Sequence, residues 1–243
     1  MKLQKIYCTI LLLISYQINY SQTSYDKTLY DSFDKAIGLK NLGINNGTIH
    51  FDTYRIFDKT HRYHVTDKYF PGNVFYDGQH YTAQNLKYDI FKDVLIAKIN
   101  EPNNSLGINL IQAKTEWFTF SNKKFVNLNF NNKDLGIAKG YYEEYKADSK
   151  VSLYIKYHKD QIEVLTQEGV FYKYLTTNEF LIKYNGSLSR INDPKVLARL
   201  FPAYEKSIND YAYVNRDTQK SDAVEFMKIM VDYVNNLLLK ETR

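Results

Sequence analysis

Histidine is the first side chain to weigh for chemistry here, and the tightest grouping is His61 and His64, with His50 and His80 nearby in sequence. On a helix, imidazoles three residues apart share one side and can hold a metal. This stretch reads as extended, and in a strand positions three apart face opposite ways. No His-Glu-x-x-His pattern or neighbouring carboxylate pair completes a site. No metal and no cofactor are therefore expected. Among the carboxylates, Glu143 and Glu144 lie in Tyr-Tyr-Glu-Glu-Tyr, and Asp89 and Asp93 bracket a turn. Glycoside hydrolysis needs two facing carboxyls, but adjacent strand residues point to opposite faces, which separates Glu143 from Glu144. Nucleophile elbows, Ser-x-x-Lys and phosphate-cradling glycine loops are missing. Binding is thus a better expectation than catalysis, and no catalytic residue is assigned.

Binding surfaces are sought in the aromatic and apolar side chains. Trp117, Phe118 and Phe120 form the densest aromatic group, and stacked rings on a sheet can serve as a ligand or partner surface. Met227, Met230 and Val234 lie on a second apolar face at helical spacing. That face can pack on a sheet, cover a barrel mouth or meet a partner.

The elements that must position these residues are mostly strands. The chain has 23 Tyr and 14 Phe against 10 Gly and 4 Pro, and aromatic residues suit a pleated, half-buried surface. Asp77-Gly78, Asn185-Gly186 and Ser121-Asn122-Lys123 mark turns between apolar runs. Strands are expected over Thr48 to Ile56, Asn73 to Tyr76, His80 to Tyr88, Val94 to Ile99, Leu110 to Ala113, Trp117 to Phe120 and Phe125 to Leu128. Val151, Leu153, Ile155 and Tyr157 alternate at period two, which predicts a strand with one buried and one wet face. Val170 to Leu175, Phe180 to Tyr184 and Leu188 to Ile191 extend the series. The period then changes. Asp193-Pro194 can open a short helix, and Asp222 with Glu225 can cap a longer one running through Met227, Met230, Val234 and Leu238. Leu29 to Leu42 carries a weaker helical stripe. The expected fold is mainly β (α+β): an antiparallel meander sheet or partly closed barrel with a C-terminal amphipathic helix. Residues 22–192 would form the β domain and residues 193–243 the helical segment packed on it.

The first residues read as an address rather than as part of that fold. Lys2 and Lys5 precede an apolar run from Ile6 to Ile14, and small Ser21 offers a cleavage point. Residues 1–21 are thus expected to be a removed signal peptide, and the mature chain to lack a transmembrane helix. Cys8, the sole cysteine, would leave with it. It precedes the position of a lipid-anchored cysteine, so disulfides and thiolate metal sites are not expected. Loss of Lys2 and Lys5 lowers the formal charge from +5 to +3. With charges interspersed, nothing favours nucleic acid as a partner.

The segment GNVFYDGQHYTAQNLKYDIFKDVLIAKI at residues 72–99, with NLGINNGTIHFDTYR before it and GYYEEY after it, resembles a recurring stretch in uncharacterised exported envelope proteins of Bacteroidota such as flavobacteria. The resemblance implies a Gram-negative envelope protein, in the periplasm or at the inner face of the outer membrane, and brings no activity with it. The expected role is a non-enzymatic docking module for another envelope protein or component. A lipid or lipoprotein carrier with an apolar cavity, and a glycan-binding or glycan-processing protein, are the alternatives. A filled core with an aromatic patch outside would favour docking, and an unfilled apolar inner face would favour the carrier.

Overall fold

The computed structural model describes residues 42–99 and 106–240. The expected signal peptide, Cys8 and all but the last residue of the Leu29 to Leu42 stripe lie outside the described residues. Within them are thirteen strands: β1 (Thr48–Ile49), β2 (Phe70–Tyr76), β3 (Gln79–Asp89), β4 (Val94–Lys98), β5 (Gly107–Asn109), β6 (Thr115–Phe120), β7 (Lys123–Asn127), β8 (Tyr141–Tyr145), β9 (Val151–Lys156), β10 (Lys159–Thr166), β11 (Gly169–Thr176), β12 (Glu179–Tyr184) and β13 (Ser187–Arg190). Four helices follow: α1 (Pro194–Arg199), α2 (Glu205–Val214), α3 (Arg216–Ser221) and α4 (Ala223–Lys240). None of the described helices is long and apolar enough to cross a membrane.

Eleven strands form one open antiparallel sheet in the order β1-β5-β4-β3-β2-β6-β7-β8-β9-β12-β13, and β10 and β11 form a separate ribbon. The fold is thus the mainly β meander with a C-terminal helix that the turn signals and the change of period imply. Three hairpin turns follow from local chemistry. Asp77-Gly78, Ser121-Asn122 and Asn185-Gly186 all take left-handed backbone conformations. Their flanking residues pair directly, as Tyr76 with Gln79, Phe120 with Lys123 and Tyr184 with Ser187, and this is the two-residue turn that matches strand twist.

The sheet curls strongly. Tyr88 of β3 meets Tyr141 of β8 with ring centroids 5.8 Å apart, although β2, β6 and β7 lie between them in the sheet order. Phe118 and Phe125 stack at 4.8 Å within the same interior. Helix α4 covers the remaining side. Its Phe226, Met227, Met230, Val231, Val234 and Leu238 are buried in the same core as the sheet's inner face. Asp222 caps its first turn, accepting from the amides of Val224 and Glu225. Asn235 fixes its position by accepting from the amide of Val151 at 3.0 Å and donating to the Val151 carbonyl at 2.9 Å.

Several elements differ from the sequence expectation. Strand β9 has no wet face, because Ser152, Tyr154 and Lys156 are buried along with Val151, Leu153 and Ile155. A second small cluster of Tyr142, Tyr154 and Leu181, covered by Leu128 and Ile137, shields its outer side. The expected strand at Leu110 to Ala113 is instead a passage into a short turn at Gln112–Lys114. Between Thr48 and Ile56 only Thr48–Ile49 is a strand, and Ile56 makes an isolated bridge to Tyr172. Strand β10 and helices α2 and α3 were not anticipated. Charged residues interrupt the alternation in β10, and α2 buries little beyond Ile208 and Ala212.

Because Met230 is fully buried between helix and sheet, Met230→Ala should cost about 2–5 kcal/mol by urea unfolding. Leu165→Ala, at a site 79% exposed, should change stability by less than ~0.5 kcal/mol.

Candidate functional site

The curled sheet leaves four places where polar or aromatic side chains concentrate: two buried charge networks, an outer-face row, and a basin at one end.

The first network centres on Glu143, which is inward-facing and buried. Its Oε1 pairs with Lys228 of α4 at 2.5 Å. Its Oε2 accepts from the Tyr157 hydroxyl at 2.5 Å and pairs with Lys123 at 3.1 Å. Burial acts to raise the carboxyl, but the hydrogen bonds from Lys228 and Tyr157, with the Lys123 charge, hold it below the usual carboxylate range. The His64 ring lies tilted against Tyr157 with centroids 4.3 Å apart, and it neighbours Phe125 and Phe120. Burial, reinforced by Lys123, lowers its pKa to about 3. A carboxylate held ionised and an imidazole held neutral are a poor acid–base pair for chemistry near neutral pH.

The second network joins the segment before β2 to the end of β3. Arg62 pairs with Asp89 at 3.1 Å, both side chains being 1% exposed. Tyr63 donates to Asp52 at 2.8 Å, and the His50 ring lies 3.1 Å from the Tyr63 hydroxyl. The main chain alongside bridges β3, where the amide of His64 donates to the Tyr88 carbonyl. Lys159 of β10 donates to the carbonyls of His61 and Tyr63. Arg62 and Lys159 therefore tie the separate ribbon and this segment to the main sheet. The His61 ring lies against Tyr63 and the His64 ring against Tyr157, and among the described residues no group of three or more metal-ligating side chains is found.

On the outer face, strand register builds a continuous row. His80 pairs with Phe75, Phe75 with Trp117, Trp117 with Val126, and Val126 with Tyr142. Phe75 and Trp117 lie within 19° of parallel at 6.2 Å, and His80 sits 5.2 Å from Trp117. All three rings are half-buried, each on the side away from the core. A parallel polar row runs beside them, in which Lys124 pairs with Glu144 at 2.9 Å and Tyr154 donates to Glu144. Glu143 and Glu144 thus point to opposite faces, as their adjacency in a strand implies.

The fourth place is a basin of about 490 Å³ lined by Gln112, Asn127, Asn129, Asn131, Lys139 and neighbours. Behind it Asp93 pairs with Lys156 at 2.8 Å and accepts from the Tyr88 hydroxyl and the Gln112 amide. Gly140 crosses this carboxylate so closely, at φ +107°, that a Cβ there would lie 1.6 Å from Asp93 Oδ2.

The expected site residues divide accordingly. Trp117 lies on the outer face. Phe118 and Phe120 do not, because alternate strand residues face opposite ways, and both are buried in the core. Met227, Met230 and Val234 are likewise buried, packed on the sheet rather than offered to a partner. Phase alone could have separated Trp117 from Phe118. Nothing in the sequence pairs Phe75 or His80 with Trp117, since that requires the strand register.

Neutral burial of His64 carries a pH signature. Below pH 6.5 the unfolded chain takes up a proton that the folded chain refuses until about pH 3. Stability therefore falls as pH falls through this window, by up to about 1.4 kcal/mol per unit. In His64→Phe, the slope of unfolding free energy between about pH 6 and pH 5 should lose most of that amount. An unchanged slope would show that His64 is not held neutral.

Searches of protein-family models, curated proteins and solved structures find no match to this chain.

Proposed function

We propose that this chain is an exported, non-enzymatic envelope module that docks onto another envelope component through the outer face of its sheet. The observation that carries the reading is the row His80, Phe75 and Trp117, an aromatic shelf outside a core that is already filled. Half-buried aromatic rings flanked by a charge pair make a surface of the kind partners anchor on. Large rigid side chains supply contact area at small entropic cost, and the polar row at the margin sets orientation. Lys124 and Glu144 stand in that margin.

The carrier alternative has less support. The interior that would receive an acyl chain is occupied by Tyr88, Phe118, Phe125 and Tyr141, all fully buried and in ring contact. The paired carboxylates do not favour catalysis, because Glu143, Asp89 and Asp93 are each committed to a cation.

Native mass spectrometry of the protein purified from its own envelope, with parallel lipid extraction, separates these readings. Docking predicts a stoichiometric protein-sized mass shift that Trp117→Ser weakens by ~30-fold or more, the scale of a central aromatic anchor. The folded spectrum should be retained. A stoichiometric lipid adduct with no protein shift would replace docking by the carrier.

A further inference from the structure

The edges of the two sheets are guarded unequally. The main sheet ends in β1 and β13, which are 2 and 4 residues long, and short outer strands offer little to pair with. Strand β10 of the ribbon runs for 8 residues, Lys159–Thr166, in unbroken register with β11. It holds no proline and no bulge. Its one lysine, Lys159, is drawn away from the edge to the carbonyls of His61 and Tyr63.

The hydrogen bonds of β11 show which way the backbone of β10 points. The Tyr172 amide donates to the Arg55 carbonyl at 2.8 Å, and the Tyr172 carbonyl accepts from the Phe57 amide at 2.9 Å. The Tyr174 amide donates to Thr60 Oγ1 at 3.0 Å. Both tyrosines therefore turn their main-chain groups away from β10. Their partners across the ladder are Glu163 and Gln161. These must turn away from β11 in the same manner, because opposed residues of an antiparallel pair either exchange both bonds or exchange none. Leu165, two residues on, repeats the direction. The far edge of β11 is thus covered by residues 55–60. The far edge of β10 presents the amides and carbonyls of Gln161, Glu163 and Leu165, which have no partner among the described residues. Glu163 and Leu165 are exposed, Leu165 at 79%.

Such a row of main-chain donors and acceptors is a template for another strand, and the side chains indicate which. Tyr172 and Tyr174 pack their face of the ribbon on Tyr54 and Phe91. Ile162, Val164 and Phe171 lie on the other face, each partly exposed. When β10 is set antiparallel to itself about a two-fold axis, an axis through Glu163 brings two carboxylates together. An axis through Gln161 opposes Ile162 to Asp160. An axis through Ile162, in the middle of the strand, uses the most of β10 and opposes Ile162 to itself, Gln161 to Glu163 and Lys159 to Leu165. That register alone joins the apolar side chains without setting like charges opposite each other.

We propose that this chain forms a two-fold dimer through β10, joining the two ribbons into one continuous antiparallel sheet. Gln161 of each copy exchanges both main-chain hydrogen bonds with Glu163 of the other. The Ile162 side chains meet at the axis, and the strip of Phe171, Val164 and Ile162 continues from one copy into the next. Leu165 gains cover from the apolar stem of Lys159 across the interface. A strand pair with this strip is a small interface, which sets the expected Kd at ~10–100 µM.

Sedimentation equilibrium of the full chain over ~1–500 µM should show a reversible monomer–dimer equilibrium in that range. Glu163→Pro removes an outward amide and leaves the ladder to β11 untouched. It should raise the Kd at least ~10-fold with the circular dichroism spectrum unchanged. Single cysteines in a Cys8→Ser background test the register even if that proline disturbs the ribbon. Ile162→Cys should cross-link with oxidised glutathione, because non-hydrogen-bonded partners lie about 4.5 Å apart at Cα, within disulfide reach. Val164→Cys, opposite Asp160 rather than itself, should cross-link at least ~10-fold more slowly. Trp117→Ser should leave the Kd unchanged, so failure here and failure of the docking reading are told apart. A chain that stays monomeric up to ~500 µM overturns the proposal. So does Val164→Cys cross-linking as fast as Ile162→Cys, or a dimer that a well-folded Glu163→Pro leaves intact.

Discussion

The structure depends on the bending of one antiparallel sheet until β3 and β8 press rings against each other across its interior. Tyr88 meets Tyr141, and Phe118 and Phe125 stack beside them. Aromatic side chains are long enough to fill that span, so the curl closes on a packed core rather than on a cavity. The same curl carries Asp93, in the turn after β3, to within 2.8 Å of Lys156 on β9. It also requires glycine at position 140, where the chain passes directly over the Asp93 carboxylate. The open side of the curve is left for α4, whose buried stripe completes the core.

Charges buried by this closure are held in matched sets. Glu143 joins β8 to α4 through Lys228, Arg62 joins an irregular segment to β3 through Asp89, and Asp93 joins the two sides of the curled sheet through Lys156. Such pairs add little net stability over apolar packing, because desolvation offsets their attraction. Loss of one member, however, leaves a charge stranded. Their value here is positional. Apolar contacts tolerate sliding, whereas a carboxylate with two or three directed donors does not. Each pair fixes one junction that backbone pairing leaves open.

One loop serves two surfaces. From Leu128 to Lys139 it sets Leu128 and Ile137 on Tyr142 and Tyr154, removing the wet face expected for β9. Its polar residues, Asn129, Asn131 and Lys139, line the basin on its other side. The outer aromatic row ends at Tyr142, beneath this loop. The docking face and the basin are therefore neighbours that share a rim and differ in chemistry, one aromatic and the other hydrogen-bonding.

Local signals in the chain were enough to place much of the architecture. Asp77-Gly78 and Asn185-Gly186 set tight turns because those residues accept left-handed backbone. Asp222 and the stripe through Met230 set α4, because capping and period are properties of neighbouring residues. The opposite facing of Glu143 and Glu144 was legible for the same reason. What sequence could not supply was anything resting on residues far apart in the chain. Phe118 and Phe120 shared a motif with Trp117 but lie on the other side of the sheet, and their burial follows from which face the curl enclosed. The pairing of Phe75 with Trp117 awaited the register of β2 on β6. The basin gathers Gln112 with Asn129 and Lys139, whose polar side chains read as loop residues in sequence. Residue type and phase determined the elements. Long-range pairing and the sense of the curl decided which side chains became core, surface or site.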